Sequence, residues 1–149
     1  MGIRYFAKAV TAARVNDASN DPMLSVCCCP DTDSWDEPRD RLPTLDLDKA
    51  WRDIQVMLGA ESSWDTHAGV RPAAELVRGY SNGMAPYRRL LSPDEVDAAA
   101  EDLKLFFEET GRNADGPDPE DYVEHYLQKA HRFASDVAGT GLWVYYAIG

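Results

Sequence analysis

A chain of 149 residues is the size of one domain, and at that length roughly 70% of the unfolded surface can be buried, so the core needs no staples. Fifteen basic against 26 acidic side chains leave a formal charge of −11, which repels nucleic-acid phosphate and anionic lipid. Apolar residues at 44% and charged ones at 28% suit a soluble globular protein, and no run approaches the roughly 18 to 20 apolar residues of a membrane span.

The first ten residues, MGIRYFAKAV, carry an early arginine without the apolar core or cleavage site of a secretory signal. Phe6 stands where a myristoylation signal wants Ser or Thr, so a cytoplasmic protein is expected. Ile3 to Val10 reads as a strand, with Tyr5, Phe6 and Val10 as β-forming side chains. Thr11 then opens a short helical piece, TAARVND. From 17 to 43 the prolines, asparagines and aspartates predict an irregular excursion, pinned by the apolar run Met23-Leu24-Ser25-Val26-Cys27-Cys28.

All three cysteines are consecutive, Cys27-Cys28-Cys29. Neighbouring cysteines seldom reach good disulfide geometry, and their diverging side chains chelate zinc poorly. Reduced thiols with no metal are expected. Asp31 to Asp36 resembles a calcium loop, but Asp36 replaces the glycine at its sixth place and Leu42 the glutamate at its twelfth.

In TLDLDKAW, Asp46 is read as a helix cap, with Leu47, Ala50, Trp51, Ile54 and Leu58 as a buried stripe and Gly59 as the stop. On the wet side, Asp48 with Arg52 and Lys49 with Asp53 are spaced as ion pairs. Arg71 to Arg78 reads as a shorter helix with Pro72 in its first turn, and Tyr80 to Pro86 as a loop. The strongest helix signal is Leu91-Ser92-Pro93-Asp94-Glu95-Val96. Ser92 caps, Pro93 sits where its missing N–H costs nothing, Glu95 completes a capping box, and Leu91 staples to Val96. Val96, Ala99, Ala100, Leu103 and Phe107 carry that stripe towards Gly111.

The last helix is expected to be capped by Asp118, with Pro119 first in it and Val123, Tyr126, Leu127, Ala130, Phe133, Ala134 and Val137 on its buried face. Leu142 to Ile148 is apolar on both alternating faces, which predicts a central strand covered on both sides. Strands at both ends with helices between them define an α/β (α+β) class. A single domain over 1–149 is expected, its sheet including both terminal strands and packed with three or more helices.

Chemical candidates are few. A carboxylate pair at Asp46 and Asp48 suits general acid–base work only where the two sit in different environments. On a helix their directions diverge by about 200°. His125 and His131 stand roughly 120° apart around a helix, the wrong relation for sharing a metal, and His125 is expected on the wet face. His67, two residues after Asp65, is better placed, because an aspartate there can orient the ring. No nucleophile elbow, phosphate loop or dinucleotide fingerprint occurs.

Four stretches taken in order, MGIRYFA, LDLDKAWRDIQVMLG, PYRRLLSPDEVDAAAEDL and a closing helix followed by an apolar strand, resemble the small bacterial YfbM-like family, a domain of unknown function. The resemblance spans the chain except residues 17 to 43 and parts of 60 to 83. It implies one compact α/β domain in the bacterial cytoplasm, and no reaction.

The functional expectation is a non-catalytic binding or protein-interaction domain with an acidic surface, using Trp35, Trp64 and Tyr80 as contact aromatics. Its partner would be another protein, not nucleic acid or membrane, and no cofactor or metal is expected. The alternative is a small hydrolase or small-molecule-modifying enzyme with a cleft formed by Asp46, Asp48, His67 and Tyr87.

Overall fold

The computed structural model describes residues 4–12, 42–59, 71–78 and 87–149, without the side chains of Tyr87 and Arg88. The calcium-like loop, the three cysteines, Trp35, Trp64, His67, Tyr80 and nearly all of the 17–43 excursion lie outside the described residues. So do most of the short helical piece after Thr11 and the loop preceding Tyr87.

Both terminal strands belong to one sheet, as expected. Strand β1 (Tyr5–Val10) pairs antiparallel with β4 (Trp143–Ile148) along its whole length. β2 (Thr44–Asp48) lies on the other side of β1, and β3 (Tyr87–Leu91) beyond β4, giving the antiparallel order β2-β1-β4-β3. β4 is interior to the sheet, yet the expectation that both its faces are covered needs correction. Val144, Tyr146 and Ile148 are fully buried, while Trp143, Tyr145 and Ala147 are half-buried. Among the described residues, the core joins Tyr5, Ala7, Leu45, Leu47, Val144, Tyr146 and Ile148 to the buried helix residues on one face.

Among the described residues, four helical elements lie on that face: α1 (Trp51–Met57), a 3-10 helix (Pro72–Val77), α2 (Pro93–Glu109) and α3 (Tyr122–Val137). This is an α+β domain. Helix α2 starts as its letters direct. Ser92 Oγ accepts the Glu95 N–H at 3.3 Å, and the Glu95 carboxylate accepts the Ser92 N–H at 3.3 Å. Val96, Ala99, Ala100, Leu103, Phe106 and Phe107 form its buried stripe, each large apolar side chain contributing about 1.5–3 kcal/mol.

Two other expected helix starts are corrected. TLDLD is strand β2: Leu45 and Leu47 are buried, and Thr44 and Asp46 exposed, the period-two pattern of a half-buried strand. Helix α1 begins only at Trp51, with Ala50 at the cap position and no side chain capping it. Strand β1 supplies a partner edge, and its ladder of hydrogen bonds outweighs the single bond that an Asp46 cap would make. Asp48 therefore precedes the helix, and its ion pair is with Arg4 rather than Arg52. The start of α3 shifts by one turn: the cap is Asp121, which accepts the Glu124 N–H at 3.0 Å, and not Asp118. That later start leaves Asp118 facing His125 at 3.4 Å and Glu124 gripping Arg112 through both carboxylate oxygens at 2.8 and 2.9 Å.

Arg71 to Arg78 tightens into a 3-10 helix rather than an α-helix, and long-range contacts hold it. Tyr5 and Tyr146 stack with ring centres 5.3 Å apart, and their hydroxyls donate to Leu76 O at 2.7 Å and Glu75 O at 2.9 Å. Buried Gln55 donates to Val77 O at 2.8 Å. At the opposite end Asp102 accepts from Arg71 at 2.8 and 3.0 Å and from the Ala73 N–H at 3.0 Å. Arg71 and Arg112 both lie against the Phe106 ring, 5.0 and 5.2 Å from its centre.

Candidate functional site

Among the described residues, the most unusual backbone position is Asp48. Its φ of +47° is left-handed, a conformation seldom adopted by residues with a Cβ and best tolerated by Asp and Asn. The cause is an irregularity in the β1–β2 register. Phe6 pairs with Asp46 but Tyr5 pairs with Asp48, so Leu47 is the extra residue of a bulge.

The bulge re-aims the carboxylate. In a regular strand Asp46 and Asp48 would share a face. Here Asp46 stays exposed opposite Phe6, whereas Asp48 is opposite Tyr5 and reaches helix α3. The two aspartates do not form a paired carboxylate site. Asp46 instead fastens the bend: its Oδ1 accepts the Asp48 N–H at 2.7 Å.

Around Asp48 the structure assembles groups from three parts of the chain. Arg4 Nε lies 3.3 Å from Asp48 Oδ1. The Tyr122 hydroxyl donates to Asp48 Oδ2 at 2.9 Å and accepts the Lys49 N–H at 3.4 Å. Partial burial and the Asp48 carboxylate push the Tyr122 hydroxyl above its ordinary pKa of 10.0, while the Lys49 N–H pulls the other way. Tyr122 is nonetheless 47% exposed, one of the three large apolar side chains that stand out into solvent among the described residues.

An aromatic ladder continues from it along α3. Tyr126 meets Tyr122 edge-on at 5.0 Å and His125 edge-on at 5.1 Å, with Lys129 over its ring at 5.2 Å. His125 is thus half-buried among partners rather than on a wet face. Asp118, Glu120 and Asp121 are exposed at the same end of α3, giving a corner of fixed aromatic rings beside acidic groups.

Tyr87 is not part of this corner. Its backbone lies in β3 opposite Ile148, and Ile148 lies opposite Tyr5, which lies opposite Asp48. Asp48 and Tyr87 thus occupy opposite edges of the sheet, three strand spacings or roughly 14 Å apart. Among the described residues no three His, Cys, Asp or Glu side chains gather as a metal-binding group, and no helix is long and apolar enough to cross a membrane.

A second polar cluster lies near the other edge, where Glu75 pairs with Arg78 at 3.0 Å and with Arg89, which also reaches Glu95 at 3.3 Å. This cluster ties the 3-10 helix to β3 and α2. Nothing in the local spacing joins Tyr122 to Asp48, because the contact between them spans 74 residues. The strand-like alternation in TLDLD was the available clue.

These features define a small α+β domain with a four-stranded antiparallel sheet, helices on one face and a strained aspartate at a sheet edge. The crystal structure of YfbM from Escherichia coli, a protein of unknown function, is similar over 96% of this chain and 97% of that one, with a TM-score of 0.52 and 15% sequence identity. The chain has the YfbM fold, as its motifs implied, and no reaction comes with that likeness. No family model matches the chain, and no curated protein matches it.

Proposed function

We propose that the protein is a non-catalytic, cytoplasmic binding module that docks a basic protein partner at the Asp48–Tyr122 corner. The observation that carries this reading is the fixed, half-exposed Tyr122 ring, held by a carboxylate that itself sits in a strained bulge. Exposed aromatic groups that are already ordered lose little freedom on binding, which is how interface anchors gain their strength. Strain at a non-glycine residue is commonly retained where it positions a working group. The charge of −11 and the nearby Asp46, Asp118, Glu120 and Asp121 favour a cationic partner and would speed its approach.

The test is affinity capture from a bacterial cytoplasmic extract at low and high salt, with wild type, Tyr122→Ala and Asp94→Asn as baits. A partner held by wild type and Asp94→Asn, lost from Tyr122→Ala and released by high salt, is the expected result. Equal capture by all three baits would overturn the assignment to this corner. The enzyme reading draws support from the same strained Asp48, since such strain also marks catalytic groups. It requires that Asp48→Asn abolish turnover across a panel of ester, amide and phosphate substrates.

A further inference from the structure

His131 stands on α3 where that helix packs against α2. Its ring meets Phe107 of α2 edge-on, with centres 4.8 Å apart. Its Nε2 is buried and has no hydrogen-bond partner. The charged groups around it are Lys104 from α2, Arg132 from α3 and Asp115 from the loop joining them. One turn earlier, Gln128 holds that loop by donating to the carbonyls of Asn113, Ala114 and Gly116 at 3.3, 3.2 and 3.1 Å. Arg132 reaches the Gly116 carbonyl at 3.4 Å. Helix, loop and imidazole therefore form one packed unit.

We propose that His131 is an acid-sensitive latch, one that holds α2, α3 and their loop together while its ring is neutral and loosens them when the ring takes a proton. A neutral imidazole can leave one nitrogen buried against a phenyl ring at the cost of one unmade hydrogen bond. An imidazolium cannot, because both its nitrogens then carry N–H donors and the buried one meets no acceptor. Lys104 and Arg132 add like charge, and only Asp115 opposes them. Burial comes first in holding the His131 pKa below its usual 6.5, Asp115 acts against it, and Arg132 and Lys104 add to it.

The sign follows from proton counting. Below pH 6.5 the unfolded chain protonates this histidine before the folded one does, so stability falls as pH drops from about 6.5 to the folded midpoint and is fully present above that window. One proton of difference raises the unfolding constant by up to about tenfold per pH unit there.

Two measurements test the latch, and neither depends on the binding role proposed above. An NMR titration of the wild-type imidazoles should give His131 a midpoint below 6.5, with the amide protection of α3 and the 112–121 loop, taken relative to the intrinsic exchange rate at each pH, falling as it titrates. Urea unfolding of wild type and His131→Leu between pH 7.5 and 5 should give the variant a shallower loss of stability on acidification. A His131 midpoint at or above 6.5, exchange in that region that ignores the titration, or equal slopes in the two proteins would each overturn the proposal. The wild-type titration decides the matter even where the variant does not fold.

Discussion

Helices α1 and α2 both have acidic, cap-like letters near their starts, TLDLD before α1 and SPDE opening α2, and the two starts are built by different means. Before α2, Ser92 and Glu95 satisfy each other's backbone N–H groups, and Pro93 enters the first turn with nothing to lose. Before α1, Asp46 and Asp48 are occupied elsewhere: one belongs to a strand and the other to a bulge directed at Tyr122, and buried Ala50 is left at the cap position. The difference teaches that a capping sequence governs its own helix only when no neighbouring strand can use it. Tertiary burial must then anchor a helix that has no cap of its own.

If burial anchors α1, the largest effect in either region belongs to Trp51, its first residue and 4% exposed. Trp51→Ala should destabilise by about 3–5 kcal/mol, measured by urea unfolding. A loss below about 1 kcal/mol would mean that α1 is held by something other than its buried face. The caps come next. Ser92→Ala should cost about 0.5–2 kcal/mol, largely restored in Ser92→Asp, whereas Asp46→Ala, which loses one exposed bond to the Asp48 N–H, should cost less than Ser92→Ala. Equal losses would erase the distinction between the two starts.

The smallest effect is spectroscopic. Absorbance titration of the tyrosines should show Tyr122 ionising above its ordinary 10.0, and Asp48→Asn should bring that ionisation down by removing the negative acceptor. An unchanged Tyr122 midpoint in Asp48→Asn would detach the bulge from the aromatic corner.

The same contrast explains what could be read from the letters. The Ser92 box, the α2 stripe, the stop at Gly59 with its φ of +73° and the two terminal strands were legible, because each rests on spacing within a few residues. TLDLD was ambiguous: Leu45 and Leu47 alternate as in a strand, while Leu47, Ala50, Trp51 and Ile54 recur as in a helix, and both patterns are used in succession. The decision between them belonged to β1, some forty residues earlier in the chain. The α3 start was missed by one turn because Asp118 and Asp121 are each acceptable caps, and the pairing of Asp118 with His125 and of Glu124 with Arg112 goes with the second. The candidate corner was half visible. Asp48 stood out as a letter, but Tyr122 became its partner only through folding.

Tyr5 and Tyr146 come from strands nearly the whole chain apart, yet their hydroxyls take carbonyls of the same 3-10 helix. Two of the side chains that hold that helix come from the first and last strands, whose pairing is the longest loop closure among the described strands, so its docking onto them is expected to follow that closure. Helices α2 and α3, joined directly by the loop 110–121, can meet without waiting for it. The 3-10 helix is in this sense a seal on a finished sheet, and such a late element governs how long the native state lasts more than how quickly it is reached.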